Sequence, residues 1–340
     1  MKRDIVFDIL RGLAIVLMIA GNSMGNILEE PHPYWLRCII SVVAPMFIMV
    51  AGAMVALGLD KKSYDFMHFL KRGAIVFGAG MFLEIIVWGT WPFTIFEVLY
   101  LIGVSIPLTY LFLQIKNEPI RWLIIVAIIA VTPILQNTFG YTDYPTEYTF
   151  PKELYVEPEN PTSILNHYFV DGWFPIFPWL AFAFIGANLY SWRQKYAQWS
   201  NKGKFMVLAL GLFMIVAGAI IWQIVPPELV TRDGYSELFY PPTIGFIIWA
   251  LGADLVIFVF VDKTSQSAIY KPIIIFGNAA MFVYIAHYMV IESVMLPFFE
   301  GEDAELLSLG EFFIVDLIFT AVLFVAAYAY LNWKKSLARK

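Results

Sequence analysis

The sequence predicts an all-α, polytopic integral membrane protein of about ten transmembrane helices, with both termini cytoplasmic. Three observations predict it. Of the 340 residues, 60% are hydrophobic and only 14% are charged, and the mean hydropathy of +0.72 is far from that of a soluble domain. Apolar runs of roughly 17–25 residues, long enough to cross a bilayer core, recur along the chain. The 22 Lys and Arg sort into alternate loops, as basic residues do when they stay on the cytoplasmic side.

The first run, 6–23, follows Met1-Lys-Arg-Asp4 directly and has no small-residue cleavage site, so it reads as an uncleaved span. The second, 36–58, contains Pro45-Met-Phe-Ile-Met-Val-Ala-Gly52 and stops at Asp60-Lys61-Lys62. The third and fourth, 73–90 and 94–114, part at Trp91-Pro92, and Lys116-Asn117-Glu118-Pro119 ends the fourth. The fifth, 121–136, leads into a loop from Asn137 to Trp173 that is rich in Tyr, Pro and acid. At that length the loop is either a solvated hairpin cap or a lid over a binding site. The remaining runs lie at 173–191, 204–225, 242–261, 273–296 and 309–331, with Pro226-Pro227 opening the gap after the second of them. No internal repeat interrupts the series, so residues 1–340 read as one transmembrane domain.

With the amino terminus inside, the cytoplasmic segments collect Lys2, Arg3, Lys61, Lys62, Lys71, Arg72, Lys116, Arg121, Arg193, Lys195, Lys202, Lys204, Lys263, Lys271, Lys334, Lys335, Arg339 and Lys340. The outer segments keep Arg37, Lys152 and Arg232 beside acids that include Glu29, Glu30, Asp143, Glu157, Glu159, Asp233, Glu237, Glu300, Glu302 and Asp303. An error of one span would scramble this sorting. The expected location is the plasma (inner) membrane, multi-pass, with the lipid bilayer as partner and no nucleic acid; monomer and homo-oligomer both stay open. One cysteine, Cys38, excludes a disulfide framework, a thiolate cluster and a CxxC pair. The four histidines, at 32, 68, 167 and 287, lack metal-ligand spacing, so no metal is expected.

Polar groups inside apolar runs are where function is expected, because each is costly in hydrocarbon unless paired or lining a cavity. Asp8 and Arg11 are three apart and Asn22 is about three turns further on, so all three share one stripe of the first helix. Asp8 and Arg11 read as a fold-holding pair, and Asn22 stays open between a helix cap and a site residue. Glu84, Glu97, Glu292 and Asp316 fall in the outer half on different helices. They are either neutral acids bonding neighbouring helices or the lining of a polar cavity suited to a sugar or an ammonium group. His32, between Glu29-Glu30-Pro31 and Pro33-Tyr34-Trp35, sits at the outer mouth, where an imidazole can take a proton from an attacking hydroxyl or amine. Asn278 and His287 are nine apart, half a turn out of phase in a regular helix, which assigns Asn278 to the cavity and His287 to structure.

Taken together, Asp8-Ile-Leu-Arg11-Gly12, Asn22, His32-Pro-Tyr-Trp35, Pro45-Met-Phe47 and Gly52 resemble the opening of the heparan-alpha-glucosaminide N-acetyltransferase family and its bacterial relatives. Asp171-Gly-Trp-Phe174-Pro175, Pro178-Trp179, Gly186-Ala187, Tyr240-Pro-Pro-Thr243 and Gly277-Asn278 through His287 look like later landmarks of that family in the same order. The resemblance implies a transmembrane acyltransferase that accepts acetyl-CoA on the cytoplasmic side and delivers the acetyl group to a sugar amine on the other. It puts the catalytic histidine at His32 and its partner asparagine at Asn22. The chain departs from the animal members in having no large amino-terminal lumenal region and in its segment between Asn22 and His32.

The expected chemistry needs a base for the acceptor and a donor for the developing oxyanion, since a thioester is already activated. His32 and the Asn22 amide supply these, with Glu84, Glu97, Asn278 and Trp35 on the amino-sugar side. Asp8 and Arg11 hold the first helix, and Arg72 and Arg121 are candidates for CoA phosphates. A proton- or cation-coupled secondary transporter built on Glu84, Glu97 and Asp316 is the alternative.

Overall fold

The computed structural model of the chain describes residues 4–62, 64–142, 145, 147–149, 155–156, 160–195, 200–224, 236–299 and 305–338. Among the charges sorted above, Lys2, Arg3, Asp143, Lys152, Glu157, Glu159, Arg232, Asp233, Glu300, Glu302, Asp303, Arg339 and Lys340 lie outside the described residues, as does part of the 137–173 loop.

Every apolar run contains a helix, although residues 88–97, at the junction of the third and fourth runs, are not helical. In chain order the helices are α1 (Ile5–Ile27), α2 (Tyr34–Ser41), α3 (Val43–Lys62), α4 (Phe66–Phe82, continued by a wide turn at Leu83–Val87), α5 (Val98–Gln114) and α6 (Glu118–Phe139). After α7 (Ile164–Asn166) and a wide turn at His167–Asp171 come α8 (Ile176–Lys195), α9 (Asn201–Ile224) and α10 (Ile244–Thr264). The last are α11 (Lys271–Asn278), α12 (Ala280–Val290), α13 (Leu296–Phe299) and α14 (Leu309–Leu337). Side-chain oxygens of Asp4, Asp65, Asn117 and Thr243 accept a first-turn N–H of α1, α4, α6 and α10, which satisfies donors a helix leaves open. A two-residue ladder, Glu147–Tyr148 with Tyr155–Val156, lies in the long loop.

Among the described residues seven helices, counting α2 and α3 as one, are long and apolar enough to cross a membrane, or eight if the bent pair at Ile164–Asp171 and Ile176–Lys195 forms one span. This supports a multi-pass helical membrane protein but falls short of the expected ten. The two remaining runs became α4 and α5, whose regular α-helical parts have 17 residues each, at the lower limit of the spanning length.

α1 sits at the centre, packed on α3, α10, α11, α12 and α14, with Ile9, Ile15 and Ile19 fully buried. At the periphery, α9 and α14 turn Leu210, Phe213, Ile314 and Leu317 outward, as suits helices that face lipid tails. Where α3 crosses α8, Gly52 lies against the Ala183 carbonyl and Gly186 against the Met49 carbonyl, and a Cβ at either position would overlap that backbone. Small residues allow such close helix approach where burial from water cannot drive association.

One end of the bundle is ionic. Arg193 of α8 reaches Asp4 at the start of α1 (2.5 Å) and Asp262 of α10 (2.8 Å), and Lys204 of α9 joins Asp262 (2.8 Å). Beside them Tyr190 donates to Asp60 of α3 (2.9 Å) and Trp192 to Glu118 of α6. The segments assigned above to one side of the membrane therefore do meet in space. At the other end Leu28 pairs with Leu307, so α14 starts beside the end of α1 and runs back toward the ionic end.

Replacing Gly52 with Val should lower the Tm of the detergent-solubilised protein, with a cost of about 1–3 kcal/mol or more from overpacking. Gly78, which has open space around it, should tolerate Ala with an unchanged or slightly raised Tm, since Ala favours helix over Gly.

Candidate functional site

At the end opposite the ionic cluster lies a cavity of about 670 Å³, within the usual size range of small-molecule sites. Its wall takes Met18, Asn22 and Asn26 from α1, Val43 and Phe47 from α3, and Tyr284 and Tyr288 from α12. The loop after α4 adds Trp88, Thr90 and Glu97; Trp173 and Phe174 precede α8; and Ser236, Glu237, Phe239 and Tyr240 precede α10. Glu292, just beyond α12, completes the acidic lining with Glu97 and Glu237.

The loop from Trp88 to Glu97 is held in a demanding conformation. Phe93 and Phe96 have φ of 73° and 53°, a region that non-glycine residues adopt at an energetic cost and only when their surroundings enforce it. Glu84 does much of the enforcing: its carboxylate accepts the Phe93 N–H (2.8 Å) and the Tyr100 hydroxyl. The Tyr168 hydroxyl donates to the Phe93 carbonyl (2.9 Å), and the N–H groups of Trp173 and Phe174 donate to Ile95 and Phe96 (3.1 and 3.0 Å). Nearby, buried His167 pairs with buried Asp171 at 2.8 Å, and Asp171 also accepts from Thr142 and Thr162. Glu84 is thus buried behind the cavity wall and shapes the loop that presents Glu97. Glu97 itself lines the cavity, caps α5 through the Leu99 N–H (2.9 Å) and accepts the Tyr284 hydroxyl (3.1 Å).

The helix carrying Asn278 and His287 is not regular. It stops at Asn278 and restarts at Ala280 across Ala279 (φ −103°, ψ 14°). The half-turn mismatch inferred for a continuous helix therefore does not apply. Arg11 donates to the Gly277 carbonyl (3.1 Å) that the break leaves open, and its approach to Asp8 is loose at 3.7 Å. After the break His287 faces α1, with its Nε2 2.9 Å from Asn22 Nδ2 and its Nδ1 3.2 Å from the Val283 carbonyl. A carbonyl can only accept, so Nδ1 carries the proton and Nε2 accepts from the Asn22 amide. His287 thereby fixes the amide's orientation, leaving its second N–H and its oxygen for a ligand.

His32 stands one residue back from the cavity. Its Nε2 donates to the Leu28 carbonyl (3.0 Å), which leaves Nδ1 to accept the Ser236 hydroxyl. The cavity contains Ser236 and not His32 among its lining residues. Asn22 and Glu97 line the same cavity; Glu84, Asn278 and Trp35 are not among its lining residues. Trp35 is 51% exposed and stacks on Phe313 at 6.3 Å. Arg121 lies over the Phe112 ring at 6.0 Å, near the start of α6 at the ionic end, and Arg72 is exposed on α4.

Sequence reasoning missed Ser236, Trp173, Tyr284 and Tyr288. Tyr284 and Tyr288 carried a usable signal, since with His287 they repeat at helical spacing on one face. Ser236 carried none. Among the described residues no group of three or more His, Cys, Asp or Glu converges as a metal site.

Residues 3–227, more than half of the chain, match the family model described as heparan-alpha-glucosaminide N-acetyltransferase, catalytic. The chain belongs to this family, a membrane acetyltransferase family whose co-substrate is acetyl-CoA. A comparison with curated proteins finds no match.

Burial in the cavity wall raises the pKa of Glu237, an effect that hydrogen bonding and the nearby Arg37 guanidinium only partly oppose. A carboxyl whose pKa is raised on folding adds stability below its unfolded pKa and loses that contribution as pH climbs through the folded value. Glu237→Gln should therefore gain stability over the native chain at pH 8, and the difference should shrink toward pH 4.5 when melting is followed in detergent.

Proposed function

We propose that this chain moves an acetyl group from cytoplasmic acetyl-CoA to an amine or hydroxyl of a glucosamine-like sugar in the cavity, on the extracytoplasmic side. The observation that carries this is the Asn22 amide, aimed at the cavity by His287. An oriented N–H is the donor an acyl-transfer oxyanion needs, and its value comes from being held in place before charge develops. His32 is the base. The Leu28 carbonyl sets its tautomer and stabilises the imidazolium that forms when it takes a proton.

The acceptor side is formed by Glu97, Glu237 and Glu292, which attract an ammonium group and accept sugar hydroxyls, with Trp88 and Trp173 offering ring faces. The attacking amine must lose its proton before reaction, and His32 is the group assigned to take it. Glu84 acts at one remove, by holding the loop that carries Glu97. CoA phosphates are assigned to the ionic end, where Arg72 and Arg121 are candidates. Arg193 is less suited, because Asp4 and Asp262 already bind its guanidinium.

Detergent-purified protein should release CoA thiol from acetyl-CoA in proportion to added glucosamine. Asn22→Ala should slow this by about 10²–10³-fold and His32→Ala by about 10²–10⁴-fold, with both variants still monodisperse. Absence of release across a panel of amino sugars and alcohols, together with ligand flux that needs no CoA, would point to the transporter instead.

A further inference from the structure

We propose that Ser236 is the nucleophile of this site: its hydroxyl takes the acetyl group from the thioester, with His32 as its base, and passes it to the sugar. This rests on the acetyltransferase reading above. Ser236 lines the cavity, while the histidine to which its hydroxyl bonds does not. A nucleophile within hydrogen-bond reach of a base that is itself oriented by a third group is the arrangement that activates a serine. Here the three are Ser236, His32 and the Leu28 carbonyl. With Nε2–H committed to that carbonyl, Nδ1 is the free basic atom, and it points at the Ser236 oxygen.

Ser236 is held firmly enough for such a role. It is only 4% exposed. Arg37 Nε donates to its carbonyl (2.7 Å), and the Ser41 hydroxyl accepts the Leu238 N–H two residues on (2.8 Å). Both anchors come from α2, the helix that follows His32, so one short element sets the positions of serine and base together. Ser236 lies beyond the stretch that matches the family.

The transfer balances in two halves. In the first, His32 Nδ1 takes the Ser236 proton as Oγ attacks the thioester carbonyl; the Oγ–C bond forms, the C–S bond breaks, and the sulfur leaves with the proton as CoA thiol. In the second, the neutral amine or hydroxyl of the sugar attacks the serine ester. His32 takes the acceptor's proton and returns it to Oγ as the C–Oγ bond breaks, which regenerates the free serine. No oxidant, reductant or further reactant is needed.

The test is to incubate the purified full-length chain with acetyl-CoA and no acceptor, quench in acid, digest and locate the acetyl group by mass spectrometry. The expected result is one acetyl group on Ser236, accompanied by a burst of about one equivalent of CoA thiol per site. The adduct should disappear on adding glucosamine as acetylated sugar forms. Ser236→Ala should lose adduct and burst and slow turnover by about 10²-fold or more; if this variant fails to fold, the adduct on the native chain decides alone. Turnover by the native chain with the acetyl group on His32, or on no residue, would overturn the proposal, as would a Ser236→Ala variant that keeps the native rate. No turnover with any acceptor would instead sink the acetyltransferase reading itself.

Discussion

The polar stripe of α1 is the constraint on which the rest of the molecule depends. A helix at the centre of an apolar bundle cannot carry Asp8, Arg11 and Asn22 unless something answers each of them, because unpaired polar groups in such surroundings are costly. The answer is a broken helix. By stopping at Asn278, α11 leaves the Gly277 carbonyl for Arg11, and by restarting at Ala280, α12 turns His287 toward Asn22. Gly12 and Gly277 make this possible, since a Cβ on either would overlap the facing backbone of Ile273 or Asp8. One interface thus answers Arg11 and Asn22 and orients the amide at the cavity.

The molecule separates its charges in the same way. Cations and their carboxylates gather where α1, α8, α9 and α10 have their ends, around Arg193. The cavity at the other end holds Glu97, Glu237 and Glu292, and among the described residues no Lys or Arg lines it. Between the two lie the tightly crossed middles of α3 and α8. Phosphates at the ionic end and an amine acceptor in the cavity would each find the electrostatic surroundings their charges require.

Several parts of this were legible in residue types alone. Asp8, Arg11, Asn22 and Glu97 stand out because they are polar where apolar residues are required; of these, Arg11 bonds the broken end of α11, and Asn22 and Glu97 line the cavity. Their partners were not legible. Asn22 and His287 are 265 residues apart, and the phase argument that separated His287 from the site assumed a continuous helix. Gly277-Asn278 is a helix-ending pair, but it lies inside a continuous apolar run and so signals a break more weakly than a proline would. Glu84 looked like a ligand group, yet it serves the strained loop at Phe93 and Phe96, a conformation visible only in backbone angles.

By itself the sequence determined the class of the protein, a multi-pass helical membrane protein, and the family to which it belongs, because hydropathy and short motifs are local properties that no tertiary contact alters. Only the tertiary structure decided which polar groups share a site. That depends on helix breaks, on π-like turns and on loops such as 236–240, which bring His32 to a serine 204 residues away. A one-residue change in helix phase turns a side chain by about 100°, and no local pattern reports where such a change falls.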